Sequence, residues 1–295
     1  MAYSTLISVA LLADLMLADS PNGLKNLVIW DCSGDLMNPP AARAAFEQEH
    51  IPGAVLIDLD IDLSDKTDAT DKACGGRHPL PSRQKFAAWV GACGITPETQ
   101  VIVYDRNGCN YCGRAWWMLQ WMGHEKVAVL DGGLQAWAAA GGAMESGLQR
   151  PQTDFFKPNY PLAGIKYALS AIDTVATAAH LQTHTIIDAR APARFRGEME
   201  PIDPVAGHIP GALNRPFNLN LNEQGFFKSP ALLRAEFDAL LAGRDASKVI
   251  HHCGSGVSAV PNVLAMKIAG YPPSSLFAGS WSQWCNTPGL PVAQG

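Results

Sequence analysis

His50-Ile-Pro-Gly-Ala-Val55 and His208-Ile-Pro-Gly-Ala-Leu213 are one short motif met twice in a chain of 295 residues. Working outward, more of each half matches the other. A short apolar run ending in Asp precedes each copy, Val28-Ile-Trp-Asp31 in the first half and Ile186-Ile-Asp188 in the second. A second apolar run follows each, Val101-Ile-Val-Tyr-Asp105 and Val249-Ile-His-His-Cys253. Each of these leads through a loop into a helical stretch, 114–122 and 258–269. Each half closes on a similar segment, Leu130-Asp-Gly-Gly-Leu-Gln-Ala-Trp137 and Phe277-Ala-Gly-Ser-Trp-Ser-Gln-Trp284. The separations agree to within a loop insertion: 158 residues from His50 to His208, 148 from Asp105 to Cys253 and 147 from Trp137 to Trp284. Four motifs kept in order are the signature of a duplicated unit. Short apolar strands alternating with helices argue for an α/β fold, each unit a mainly parallel sheet flanked by helices on both faces. The expected division is 1–145 for the first domain, 146–164 for a linker and 165–295 for the second. The stretch 141–164, with Pro151, Pro158 and Pro161, reads as extended connecting chain.

Composition narrows the function classes. Apolar residues make up 47% and charged residues 17%, enough for a core in each half. The net charge is −5, from 22 basic and 27 acidic residues, and no basic run stands out. That excludes the clustered cations that nucleic acid requires. The apolar stretch 6–18 lacks preceding Lys or Arg and is interrupted by Asp14, so it reads as an amphipathic helix capped by Ser8 and not as a leader peptide. No run approaches the ~20 apolar residues of a membrane span. Seven irregularly spaced cysteines disfavour a secreted disulfide framework. The expectation is a cytoplasmic monomer with no membrane or nucleic-acid partner.

Cys253 ends a strand, Gly254-Ser-Gly256 follows and a helix begins, with Pro261 in its first turn and Gly270 beyond its last. Ligands of parallel sheets bind beyond the carboxyl ends of the strands. Glycines let successive amides turn inward to cradle an anion, and a helix N-terminus adds partial positive charge. A thiol placed there loses its proton more easily, and the thiolate is the nucleophile. Asp105 holds the equivalent position in the first half and offers no thiolate. Only the second half is expected to be catalytic.

The whole pattern resembles the tandem rhodaneses. The loop Cys253-Gly-Ser-Gly-Val-Ser258 is similar to the Cys-Gly-Ser-Gly-Val-Thr loop of the 3-mercaptopyruvate sulfurtransferases, and unlike the Cys-Arg-Lys-Gly-Val-Thr loop of animal thiosulfate enzymes. The resemblance implies a ping-pong reaction without cofactor or metal. Cys253 takes sulfur from a small donor, 3-mercaptopyruvate, as a persulfide, then passes it to a thiol, thioredoxin or cyanide. It implies catalytic parts for Cys253, Ser255, His78 in Arg77-His-Pro-Leu-Pro81, and Asp60 as the acidic partner of that histidine. It implies substrate-binding parts for Gly254, Gly256, Val257 and Ser258 of the loop and for Arg194 in Ala193-Arg-Phe-Arg-Gly197. Arg190 is a further cleft-lining candidate, beside the reading that it pairs with Asp188. Three departures stand out. Asp203 lies near the place of a second family arginine, for which Arg196 is the candidate substitute. Ala278-Gly-Ser-Trp281 replaces Asp-Gly-Ser-Trp, and Ser258 replaces Thr.

The alternatives are a thiosulfate:cyanide sulfurtransferase, a non-catalytic binding module on the same fold, and a cysteine phosphatase. The phosphatase loop needs Arg six residues after its Cys to clamp phosphate, where this chain has Ala259. Cys109-Asn-Tyr-Cys112 reads as structural, with a regulatory disulfide as the competing hypothesis. The repeated His50 and His208 read as turn fixtures, and Trp116, Trp117 and Trp121 as core.

Overall fold

The computed structural model describes residues 2–18, 26–67, 70–154, 156–164, 167–181 and 183–295. Two compact units are present. The first comprises Met1–Ser64, Pro81–Ile165 and Glu223–Phe226, the second Asp65–Leu80, Lys166–Asn222 and Phe227–Gly295. The segment Asp65–Leu80 lies in the first half of the sequence yet packs with the second unit. The expected boundary at 165 falls outside the described residues.

The first unit runs β1 (Leu6–Ile7), α1 (Val9–Ala18), β2 (Leu27–Asp31), α2 (Pro39–Gln48), β3 (Val55–Leu56), α3 (Arg83–Ala92), β4 (Gln100–Tyr104), α4 (Cys112–Met122), β5 (Val127–Leu130) and α5 (Gly133–Ala139). Its sheet has the order β1-β5-β4-β2-β3, every pair parallel. β4 is buried along its whole length, as its unbroken Val-Ile-Val run requires of a strand covered on both faces. Leu6 and Ile7, read from sequence as helix, pair with Val129 and Leu130 at the sheet edge. The helix starts behind them, with the Ser8 hydroxyl accepting from the Leu11 amide.

The second unit runs α6 (Ile172–Leu181), β6 (Thr185–Asp188), α7 (Pro192–Phe195), β7 (Leu213–Asn214), α8 (Pro230–Leu241), β8 (Val249–His252), α9 (Val260–Ile268), β9 (Ser275–Leu276) and α10 (Ser280–Trp284). Its order is β7-β6-β8-β9, again all parallel. β9, β8, β6 and β7 therefore stand where β5, β4, β2 and β3 stand in the first unit, and the sequence duplication is a duplication of topology. Among the described residues, no helix is long and apolar enough to cross a membrane.

The repeated histidines do the same structural job twice. His50 stacks on Phe46 with ring centroids 3.9 Å apart, and its Nδ1 is 2.8 Å from the Phe46 carbonyl. His208 stacks on Phe195 at 3.8 Å, its Nδ1 2.8 Å from the Phe195 carbonyl. The connecting stretch is strapped along the first unit. The Leu56 amide donates to Gln149, the Tyr160 amide to Ala87, and Arg150 pairs with Asp62 at 2.8 Å.

Candidate active site

Cys253 is the first residue beyond β8, a central strand of its sheet. Its amide donates to the Ser280 hydroxyl at 3.1 Å, its carbonyl accepts from the Trp281 amide at 3.0 Å, and the Gly254 carbonyl accepts from the Ser282 amide at 2.8 Å. The start of α10 thus clamps the loop. Ser280 takes φ +54 to do so, a left-handed conformation that disfavours a residue with a Cβ. Ala278, which replaces the family's Asp, leaves these contacts in place. Its own carbonyl explains Gly256. At φ +72, a Cβ there would stand 2.3 Å from the Ala278 oxygen. Val257 is buried, and its carbonyl accepts from the Val260 amide to open α9. Ser258 sits half-buried in that turn, two residues before the helix the sequence suggested it would begin. Cys253 itself is 2% exposed.

His78 reaches this loop from the segment Asp65–Leu80. It is buried, and its Nδ1 lies 2.7 Å from Ser255 Oγ. Two features of the preceding residues allow the approach. The Arg77 amide donates to Ser282 Oγ at 3.0 Å. Gly76, at φ +88, passes so close to the Gly279 carbonyl that a Cβ would meet it at 2.6 Å. Asp60 belongs to the first unit, in the turn after β3, where its amide donates to Asp58 Oδ1.

The arginines divide into distinct groups. Arg190 is buried and committed to the protein. Its Nε donates to both Asp188 oxygens, its Nη2 to Asp188 and the Gly207 carbonyl, and its Nη1 to Glu200. It is a brace, and its guanidinium also lies over the Trp281 ring at 4.7 Å. Burial pushes the Asp188 carboxyl up, but His252 and Arg190 hold it below its ordinary range. Arg194 extends the chain of pairs through Glu200, with Nε at 3.1 Å and Nη2 at 2.5 Å, and reaches Asp203 at 3.4 Å. Burial pushes Glu200 up as well, and Arg194 together with the Asp203 and Ile202 amides more than offsets it. Arg196 instead pairs with the exposed Glu198.

Sequence reasoning missed Arg77. Its Nη1 donates to Asp203 Oδ1 at 2.7 Å. Its Nη2 would stand 3.1 Å from a Cβ on Gly254, with Arg194 Nη1 at 3.6 Å and Nη2 at 3.8 Å from the same point. Two guanidinium groups therefore flank the residue next to Cys253. The only available signal in the sequence was adjacency to His78.

The matching loop of the first unit is closed by its own side chain. Asp105 Oδ1 accepts from the amides of Asn107 and Cys109, and Oδ2 from those of Tyr111 and Cys112, at 2.8–3.0 Å. Cys109 and Cys112 are buried, free thiols. Burial and the Asp105 charge push the Cys112 thiol well up. Cys109 is pulled down by the Cys112 thiol, but burial and Asp105 leave it raised. Neighbouring His251 and His252 point apart, His251 Nε2 to Met266 Sδ at 3.2 Å and His252 Nδ1 to the Cys253 carbonyl at 3.2 Å.

Comparison with known proteins gives this geometry a lineage. The rhodanese-like domain family matches residues 17–140 and again 172–287. A Pseudomonas aeruginosa protein named "Probable 3-mercaptopyruvate sulfurtransferase" is 42% identical over 92% of this chain and 93% of its own. The Bos taurus thiosulfate sulfurtransferase is 33% identical over 96% and 92%. The crystal structure of an Escherichia coli 3-mercaptopyruvate sulfotransferase superposes with a TM-score of 0.74 at 32% identity, covering 95% of this chain and all of that one. The chain belongs to the rhodanese-like family.

Proposed function

We propose that this chain is a sulfurtransferase that moves sulfur from 3-mercaptopyruvate through a persulfide on Cys253. The observation that carries the reading is the Cys253 loop itself. A thiol one residue past a central strand stands ahead of a helix N-terminus, with His78 hydrogen-bonded to the hydroxyl of the loop's Ser255. The thiolate attacks the donor's sulfur, and the sulfur–carbon bond breaks. The bonding pair passes to carbon as the enolate of pyruvate, which then takes a proton. An acceptor thiol or cyanide attacks the outer persulfide sulfur, and the electron pair of the broken S–S bond returns to Cys253. Ser255 and His78 form a path for the proton, following the logic of nucleophile, base and orienter. Asp60 is assigned as the orienting acid from the family pattern alone. Gly254, Gly256, Val257 and Ser258 shape the loop around the transferred sulfur. The first domain, with Asp105 in place of Cys, is non-catalytic. The acceptor is a thiol or cyanide, with thioredoxin as one candidate thiol, and the protein is assigned as a cytoplasmic monomer.

A second reading, thiosulfate as donor, is favoured by the two guanidinium groups beside Gly254, since thiosulfate is a compact dianion. Steady-state comparison of kcat/KM for the two donors decides. The expected result is a preference for 3-mercaptopyruvate of about tenfold or more, the size of one charge-assisted contact. A thiosulfate preference overturns the donor assignment and leaves sulfur transfer intact.

A further inference from the structure

The structure assigns to Arg77 the binding of the donor's carboxylate, as the partner of Arg194 in a two-cation clamp. This inference rests on the proposed reaction and adds a specificity-determining residue to it.

Arg77 is held first through its backbone. Its amide is fixed by Ser282, which also donates its own amide to the carbonyl of Gly254 in the sulfur-carrying loop. The side chain is then fixed at one end only, Nη1 on Asp203 Oδ1 at 2.7 Å. Asp203 touches Arg194 as well, at 3.4 Å, so one carboxylate aligns both cations. The group left over, Nη2 of Arg77, faces Gly254 together with Nη1 of Arg194. Both side chains remain partly open to solvent, at 25% and 18%, whereas their anchors Asp203 and Glu200 are buried at 4% and 3%. The carboxylates are therefore the inner framework, and the guanidinium edges are the face a ligand meets.

Position selects the ligand. Neighbouring Cα atoms are ~3.8 Å apart. The clamp atoms stand 3.1–3.8 Å from a Cβ placed on Gly254, the residue next to the nucleophile. In 3-mercaptopyruvate the carboxylate lies two carbons from the reacting sulfur and can span the spacing between neighbouring residues. In thiosulfate the anionic oxygens sit on the sulfur bonded to the transferred one. Guanidinium pairs suit carboxylate, because each offers parallel N–H donors to its two oxygens. Gly254 fits the same account, since a side chain there would fill the space between loop and clamp.

The test compares wild type with Arg77→Met and Arg77→Lys, using both donors, with pyruvate as a sulfur-free competitive probe. Turnover of 3-mercaptopyruvate by wild type tests the reaction; the variants test this assignment. Losing one charge-assisted contact corresponds to about a ten- to hundredfold effect. Arg77→Met is expected to raise KM for 3-mercaptopyruvate and Ki for pyruvate by that factor, with kcat changed by less than about threefold. KM for thiosulfate should move several-fold less, and Arg77→Lys should recover part of the loss. Unchanged KM and Ki in both variants overturns the assignment. So does an equal rise for both donors, which marks loss of loop geometry. If Arg77→Met does not fold, the KM ratio of Arg77→Lys between donors decides alone.

Discussion

The two strand-end loops share one backbone plan and differ in what fills it. Each helix, α4 and α9, begins seven residues after the strand-end residue, at Cys112 and Val260. Gly108 and Gly256 occupy the same place in the two loops, with φ of +67 and +72. In the first loop, the carboxylate of Asp105 accepts from four inward-turned amides and so supplies the anion from within. In the second, a neutral hydroxymethyl and glycines surround Cys253. Among the described residues, no protein group accepts from the amides of Gly254, Val257 or Ser258. The lesson is that one anion cradle serves two ends. Filled by its own side chain it is a rigid tie between strand and helix, and left open it is where the proposed persulfide would sit.

That contrast breaks most visibly if the tie is cut. Asp105→Ala deprives four amides of their acceptor, three of them at buried residues. Each unsatisfied buried group costs about 1–3 kcal/mol, and partial entry of water limits the total to roughly 2–4 kcal/mol. Urea unfolding should report this as a lower midpoint of the transition assigned to the first unit, while the persulfide chemistry of any folded protein stays intact. A loss below about 0.5 kcal/mol, the size of an ordinary surface substitution, would mean the carboxylate is not the tie described here.

A smaller effect is expected at the paired thiols of the first loop. Burial and the Asp105 charge keep Cys112 protonated, which removes the thiolate that disulfide exchange requires. Cys112→Ala should destabilise by about 1 kcal/mol through lost packing and change kcat by less than about twofold. Mass spectrometry after mild oxidation should find Cys109 and Cys112 both reduced. A 109–112 disulfide with altered turnover would restore the regulatory reading.

Much of this was legible before any coordinates. The His-Ile-Pro-Gly-Ala repeat and the order of motifs announced two copies, and the four strands of the second sheet repeat the arrangement of four of the five in the first. Cys253 and Asp105 fall where apolar runs end, and each lies one residue past its strand. What the sequence hid were contacts between residues distant along the chain. Arg77 precedes a candidate catalytic histidine, but nothing local reveals that the segment Asp65–Leu80 packs with the second unit or that Asp203 anchors the guanidinium 126 positions away. Asp203, near the place of a family arginine, accepts instead from the guanidinium of Arg77. For Arg190 the sequence left a cleft-lining role beside a pairing with Asp188, and the buried brace shows only when Glu200 and the Gly207 carbonyl are seen to occupy its remaining donors. Asp105 read as a lost nucleophile, and its gain of four amide contacts depends on loop geometry that no motif encodes.

The central claim is that the open cradle carries sulfur on Cys253. The most direct measurement is mass spectrometry of the intact protein and its peptides after brief exposure to 3-mercaptopyruvate without acceptor. The account predicts the gain of one sulfur atom, located on the peptide bearing Cys253, discharged by cyanide and absent from Cys253→Ser. Sulfur located on Cys285 or another cysteine, or wild-type turnover by Cys253→Ser, would contradict it.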